Sequence, residues 1–131
     1  MGHTPFTAIK KQVKLLNDAV LMLEAGINVR GFTKVKSTYR NLDAYYHRGL
    51  GIIVKRPACI LEDRIPSYLK VPTVNLRNGW VVQPIVKKTR LKEAVRRLER
   101  KLKPYREQGL HPDLHVGNVG WFKGEPLMFD W

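Results

Sequence analysis

The sequence predicts an α+β fold, on three observations. Apolar residues recur at helical three- and four-residue steps over residues 9–23 and again over 91–105. Between these stretches, residues 27–86 switch to short apolar runs separated by glycine, proline and asparagine, the pattern of strands and turns. A polar loop and one further hairpin follow the second helical stretch, the hairpin running Gly120-Trp-Phe-Lys-Gly-Glu-Pro-Leu127 about a Lys123-Gly124 turn. The expected architecture is an antiparallel sheet of about five strands with an amino-terminal helix, a support helix and the closing hairpin.

In chain order, Thr4 is expected to cap the first helix with Pro5 in its first turn, where the missing N–H is harmless. Ile9, Val13, Leu16, Val20 and Leu23 form its apolar stripe, Leu15, Ala19 and Met22 widen it, and Gly26 ends the helix. Lys10, Lys11 and Lys14 lie off the stripe, on a solvated face. Strands are expected at 29–35, 42–47 and 51–55, with Arg48-Gly49-Leu50-Gly51 turning between the last two. The third strand, Gly51-Ile-Ile-Val-Lys55, is apolar until a lysine emerges at its end. Residues 71–76 and 80–86 pair as a hairpin about Arg77-Asn78-Gly79. Thr89 is expected to cap the second helix, whose buried stripe is Leu91, Ala94, Val95, Leu98, Leu102 and Tyr105; Pro104 should kink it or loosen its last turn, and Gly109 stops it.

Composition bounds the class. A chain of 131 residues with 44% hydrophobic and 27% charged residues is globular and fits a single domain over 1–131, divided as 1–26, 27–86 and 87–131. Its single cysteine, Cys59, excludes an internal disulfide and fits a reducing cytoplasm. No apolar run approaches the roughly 18 residues of a membrane span, and the amino terminus lacks the pattern of a signal peptide. A cytoplasmic protein is therefore expected. The net charge of +13 predicts attraction to polyanions, including nucleotides, nucleic acid and acidic proteins. Much of it lies on and just before the second helix, 89–108, whose other face is basic: Lys87, Lys88, Arg90, Lys92, Arg96, Arg97, Arg100, Lys101, Lys103 and Arg106, with Glu93–Arg97 and Glu99–Lys103 as expected internal pairs.

The functional signal is concentrated at residues 111–131. Asp113 and Asn118 stand in an Asp-x-x-x-x-Asn arrangement, His111 precedes the Asp by two, and an apolar run delivers a second carboxylate, Asp130, beyond the hairpin. Phosphoryl transfer from a nucleotide needs such a kit: one carboxylate to orient the attacking hydroxyl, and an amide oxygen and a second carboxylate to hold the metal that bridges the phosphates.

These residues, read as Asp-Leu-His-x-Gly-Asn-Val and Phe-Asp-Trp, resemble the catalytic loop and metal-binding segment of the protein-kinase-like superfamily, closest to its aminoglycoside and choline phosphotransferase branch and related bacterial small kinases. The resemblance implies a minimal ATP- and magnesium-dependent phosphotransferase, acting on a protein Ser/Thr or a small-molecule hydroxyl. Asp113 would be the catalytic base, His111 the loop-structuring histidine counted with it, and Asn118 and Asp130 the metal ligands. Lys55 resembles the strand lysine that contacts the phosphates. Glu62 would pair with Lys55 from a short helical turn, with Asp63 or Glu24 as alternatives. Gln83-Pro84-Ile85-Val86 would be the hinge, with Gln83 and Ile85 reading the base. The chain departs from the family in five places: Pro112 stands where the family mostly has Arg or Gly; Gly31 is the one glycine where a glycine-rich cover is expected, with Ser37 and Thr38 as substitutes; Pro57 and Pro66 shorten the helix that would carry the glutamate partner of Lys55; Pro84 removes a hinge donor; and most of the lower lobe is missing. A partner subunit or a second copy is then expected to complete the acceptor site.

Other readings stay open. The loop is also ordinary Asp/Asn turn chemistry. His111, Asp113 and His115 alternate along an extended segment in a way that suits zinc. A kinase-like scaffold without catalysis would bind nucleic acid or an acidic protein through the basic helix.

Overall fold

The computed structural model describes residues 6–36, 43–57 and 62–130, and in it the chain is α+β: a five-stranded antiparallel sheet, a separate two-stranded sheet and two α-helices. The expectations placed on Thr4, Pro5, Ser37, Thr38, Leu42, Cys59 and Trp131 lie outside the described residues. The backbone forms two compact units, one drawing on Met1–Ile60 and Thr73–Ile85, the other on Leu61–Pro72 and Val86–Trp131.

In the first unit a 3-10 segment, Phe6–Gln12, leads into helix α1, Val13–Glu24. The opening turns are therefore tighter than the α-helix expected; they contain Lys10 and Lys11 and no acidic residue, the wrong sign for a helix amino terminus. Ile9, Leu16, Ala19, Val20 and Leu23 are buried as the stripe requires, but Leu15 (69% exposed) and Met22 face solvent. At about 100° per residue, Leu15 and Met22 lie roughly 40° and 60° beyond Ala19, the edge of the buried arc, so the buried face is narrower than predicted. Gly26, at φ +78°, closes the helix in the left-handed conformation: the Gly26 N–H donates to the Leu23 carbonyl and the Ile27 N–H to that of Met22.

Strands β1 (Thr33–Lys34), β2 (Asp43–His47), β3 (Ile52–Arg56), β4 (Val74–Asn75) and β5 (Val81–Pro84) pair in the order β1-β2-β3-β5-β4. The first and fourth are much shorter than expected. Gly31 at φ +88° interrupts the 29–35 run, and its α-carbon lies so close to the His47 ring that an added Cβ would fall 2.2 Å from Nε2. Pro72 removes a donor from the 71–76 run. The hairpin turn forms as read, with Asn78 and Gly79 both at positive φ. Ile52, Val54, Trp80 and Val82 pack with the α1 stripe into one core, each large apolar side chain contributing about 1.5–3 kcal/mol on burial.

In the second unit, strands β6 (Val119–Phe122) and β7 (Glu125–Met128) form the predicted hairpin, with Lys123 (φ +51°) and Gly124 (φ +79°) giving the two left-handed residues of a type I′ turn. Lys87 bridges to Trp121 on one edge and Lys70 to Met128 on the other, so both edges of this short ribbon are partnered. Gly120 is required here: a Cβ on it would lie 2.3 Å from the Val86 methyl. Helix α2, Leu91–Glu107, buries Ala94, Leu98 and Leu102 against Ile65, Leu69, Val119, Trp121 and Met128, with Leu91, Val95 and Tyr105 alongside, the stripe that was predicted.

Two local expectations for α2 need correction, the Thr89 cap and the internal ion pairs. Thr89 does not cap it; the residue before the helix is Arg90, left-handed at φ +46°, and the Thr89 carbonyl instead accepts the Trp121 indole N–H at 2.6 Å. Pro104 lies inside a helix that continues to Glu107, where Gly109 (φ +95°) ends it with the same pair of carboxy-terminal bonds that closes α1. The predicted i,i+4 ion pairs give way to others: Glu93 meets Arg90 at 3.4 Å, and Glu99 takes the Arg106 guanidinium through two bonds of 2.9 and 3.0 Å. Arg97 is drawn instead over the Trp121 ring, 5.4 Å from its centre.

Candidate functional site

The polar loop after α2 is held by one side chain. Asn118 is buried, and its amide works in both directions: Oδ1 accepts the His115 N–H at 3.0 Å, and the Nδ2 group donates to the Asp113 carbonyl. Its own N–H donates to the His115 carbonyl at 3.1 Å, so the turn is tied at three points. His115 adds a fourth tie, its Nδ1 accepting the Gly117 N–H at 3.0 Å. That bond fixes Nδ1 as an acceptor and turns Nε2 toward the Asp113 carboxylate, 3.7 Å away. The Asp113 carboxylate is 93% exposed, on a backbone that Asn118 holds through the Asp113 carbonyl. His111 is exposed beside this loop; Arg106 braces the neighbouring backbone by donating to the Pro112 carbonyl at 3.1 Å.

The hairpin brings the second acid to the same place. The β6–β7 register runs Val119 opposite Met128, and the next pair out joins Phe129 N–H to the Asn118 carbonyl at 3.1 Å. Asp130 therefore leaves the hairpin one residue beyond the partner of Asn118, exposed to solvent. The Lys88 ammonium stands 3.9 Å from the centre of the Phe129 ring, and its burial there lowers its pKa. Asp113, Asn118 and Asp130 thus belong to one end of the second unit.

The remaining predicted residues are placed as follows. Lys55 is buried (3% exposed) within β3, opposite Ala44 on one side and Val81 on the other, and Arg56 is the residue that emerges at the strand's end. Alternation along β3 sets Lys55 on the face opposite the α1-facing Ile52 and Val54. Glu62 stands just before a turn at Asp63 and Arg64, and both its carboxylate oxygens bind Arg64, at 2.8 and 3.0 Å. Glu24 accepts from Trp80 Nε1 at 2.6 Å and from Arg56 at 2.9 Å. Gln83 is fully buried in β5 opposite Ile53 and donates through Nε2 to Thr73 Oγ1 at 3.0 Å. The Ile85 N–H is committed to the Gly51 carbonyl at 2.9 Å, which extends the β3–β5 ladder where a base-reading donor was expected.

Among the described residues no three His, Cys, Asp or Glu side chains gather as a metal-ligand group, so His111, Asp113 and His115 do not form the zinc arrangement that alternation suggested. Sequence reasoning missed the anchoring of Trp121, whose ring is flanked by Arg90 at 5.0 Å and Arg97 at 5.4 Å. It also missed the loop-tying role of His115, for which the His-x-Gly spacing is the visible signal. No helix among the described residues is long and apolar enough to cross a membrane. Comparison with protein-family models, curated proteins and solved structures returns no match.

Proposed function

We propose that the protein is a minimal ATP- and magnesium-dependent phosphotransferase with a hydroxyl acceptor. The observation that carries this reading is the clamped loop: Asn118 holds the Asp113 backbone by its amide while the hairpin register delivers Asp130 next to the partner of Asn118. The donors also suit the metal. Magnesium takes oxygen ligands, from one or two carboxylates together with phosphates and water; Asp130 offers an exposed carboxylate and Asn118 the second lone pair of an Oδ1 already held in place by His115. When bound, magnesium neutralises charge on the phosphate oxygens. In this reading Asp113 orients the acceptor hydroxyl and takes up its proton, and Asn118 keeps Asp113 in position.

Asp113 and Asp130 are both exposed, so truncating either leaves the fold nearly unchanged. Asp113→Ala and Asp130→Ala are each expected to lower turnover of labelled ATP by about a hundredfold or more with an unaltered circular dichroism spectrum. ATP with magnesium should raise the melting temperature of the parent protein and not that of Asp130→Ala. Full turnover in either variant, or an ATP-magnesium shift that survives Asp130→Ala, defeats the proposal.

A further inference from the structure

The second unit carries a cationic surface that the phosphotransfer reading does not use. The basic residues of the α2 region fall into two groups. Arg90, Arg97, Lys101, Arg106 and Lys88 are engaged, by Glu93, Trp121, Glu125, Glu99 and Phe129 respectively. Lys92, Arg96, Arg100 and Lys103 are exposed and form no ion pair with any described residue. These four recur at helical spacing, and at 100° per residue they fall within an arc of about 80° along roughly 16 Å of helix. They make an exposed basic stripe, flanked by Glu93 and Glu99, which pair with Arg90 and Arg106, and bounded at its carboxy-terminal end by Glu107.

We propose that this outer face of α2 is a sequence-independent docking surface for the phosphate backbone of duplex nucleic acid. Three features select that partner. A duplex presents one negative charge for about every 1.7 Å of its axis, a density that an evenly spaced row of fixed cations can follow. Among the described residues the exposed large apolar side chains, Leu15, Met22, Ile27, Tyr68, Ile85 and Val116, all lie off α2, so the stripe lacks the aromatic or apolar anchors on which protein interfaces depend. The same lack of an exposed aromatic on α2 removes the stacking platform that single strands use. The overall charge of +13 adds long-range attraction.

The test is fluorescence anisotropy of a labelled mixed-sequence duplex against salt concentration. Four contacts give an expected slope of log K against log salt of about −3.6. Lys92→Ala/Arg96→Ala/Arg100→Ala removes three of them; the slope should fall in size by about 2.7 and binding should weaken by about tenfold or more. Alanine favours the helix, so the fold is retained, and the glutamine counterpart of the triple variant should behave alike. Lys10→Ala/Lys11→Ala/Lys14→Ala removes the same charge from exposed positions of the first unit and should change the slope little. Equal weakening by the control variant overturns the proposal in favour of diffuse attraction. Binding of single strands or of polyglutamate as tight as that of the duplex overturns it in favour of another partner.

Discussion

Two tryptophans buried among the described residues, Trp80 in the first unit and Trp121 in the second, satisfy the same requirement by opposite means. Each donates its indole N–H over 2.6 Å, and each has arginine against its ring. Trp80 donates to a carboxylate, Glu24, and the arginine over it, Arg56, is neutralised by Glu24 and Asp43. Trp121 donates to a backbone carbonyl, that of Thr89, and of its two arginines only Arg90 has a carboxylate, 3.4 Å away. Trp80 is thus tied to its surroundings through charged partners, and Trp121 through a neutral main-chain acceptor.

Removing the rings themselves should have the largest effect. Trp80→Ala and Trp121→Ala each delete a large buried side chain at the centre of a core, and each is expected to cost about 3–5 kcal/mol in urea denaturation. A much smaller loss at either position would show that its unit is not organised around the ring. Glu24→Ala separates the two units more sharply. It strips the acceptor from Trp80 Nε1 and a partner from Arg56 together, and should cost about 1–3 kcal/mol. No side-chain substitution can do the same to Trp121, because its acceptor belongs to the main chain.

This contrast also marks what the sequence could and could not convey. Periodicity located the α2 stripe residue by residue, and the Lys123-Gly124 and Asn78-Gly79 turns formed as written, because local backbone preferences decide them. Strand length was poorly legible: β1 and β4 are cut short by the left-handed Gly31 and by Pro72, and pairing is settled by partners distant in the chain. In the candidate site, the loop chemistry of Asp113 and Asn118 was readable as a motif, whereas the tie from His115 to Gly117 depends on a turn geometry that spacing only hints at. Ion pairs were the least legible. Glu93, Glu99 and Glu62 each chose an arginine other than the partner helical spacing or family order suggested, since a flexible charged side chain goes wherever packing leaves a guanidinium within reach.

The smallest effect, and the finest test of the contrast, concerns Glu62 and Arg64. Glu24 and Arg56 join segments thirty-two residues apart, whereas Glu62 and Arg64 are separated by two. Side-chain and backbone hydrogen bonds from Arg64 hold the Glu62 carboxyl down at about 2, well below its usual 4.5. Because the folded-state pKa is depressed, whatever this pair contributes is present above about pH 4.5 and is lost as the pH falls through about 2. Both groups are solvent-exposed, and a pair so local in sequence can persist when the rest of the chain unfolds. Carbon-detected NMR should give a Glu62 midpoint near 2, and Arg64→Ala should return it toward 4.5 while leaving the neutral-pH denaturation midpoint where it was. If Arg64→Ala instead destabilises the fold as much as Glu24→Ala does, the second unit relies on charge pairing as heavily as the first, and the contrast drawn from the two tryptophans does not hold.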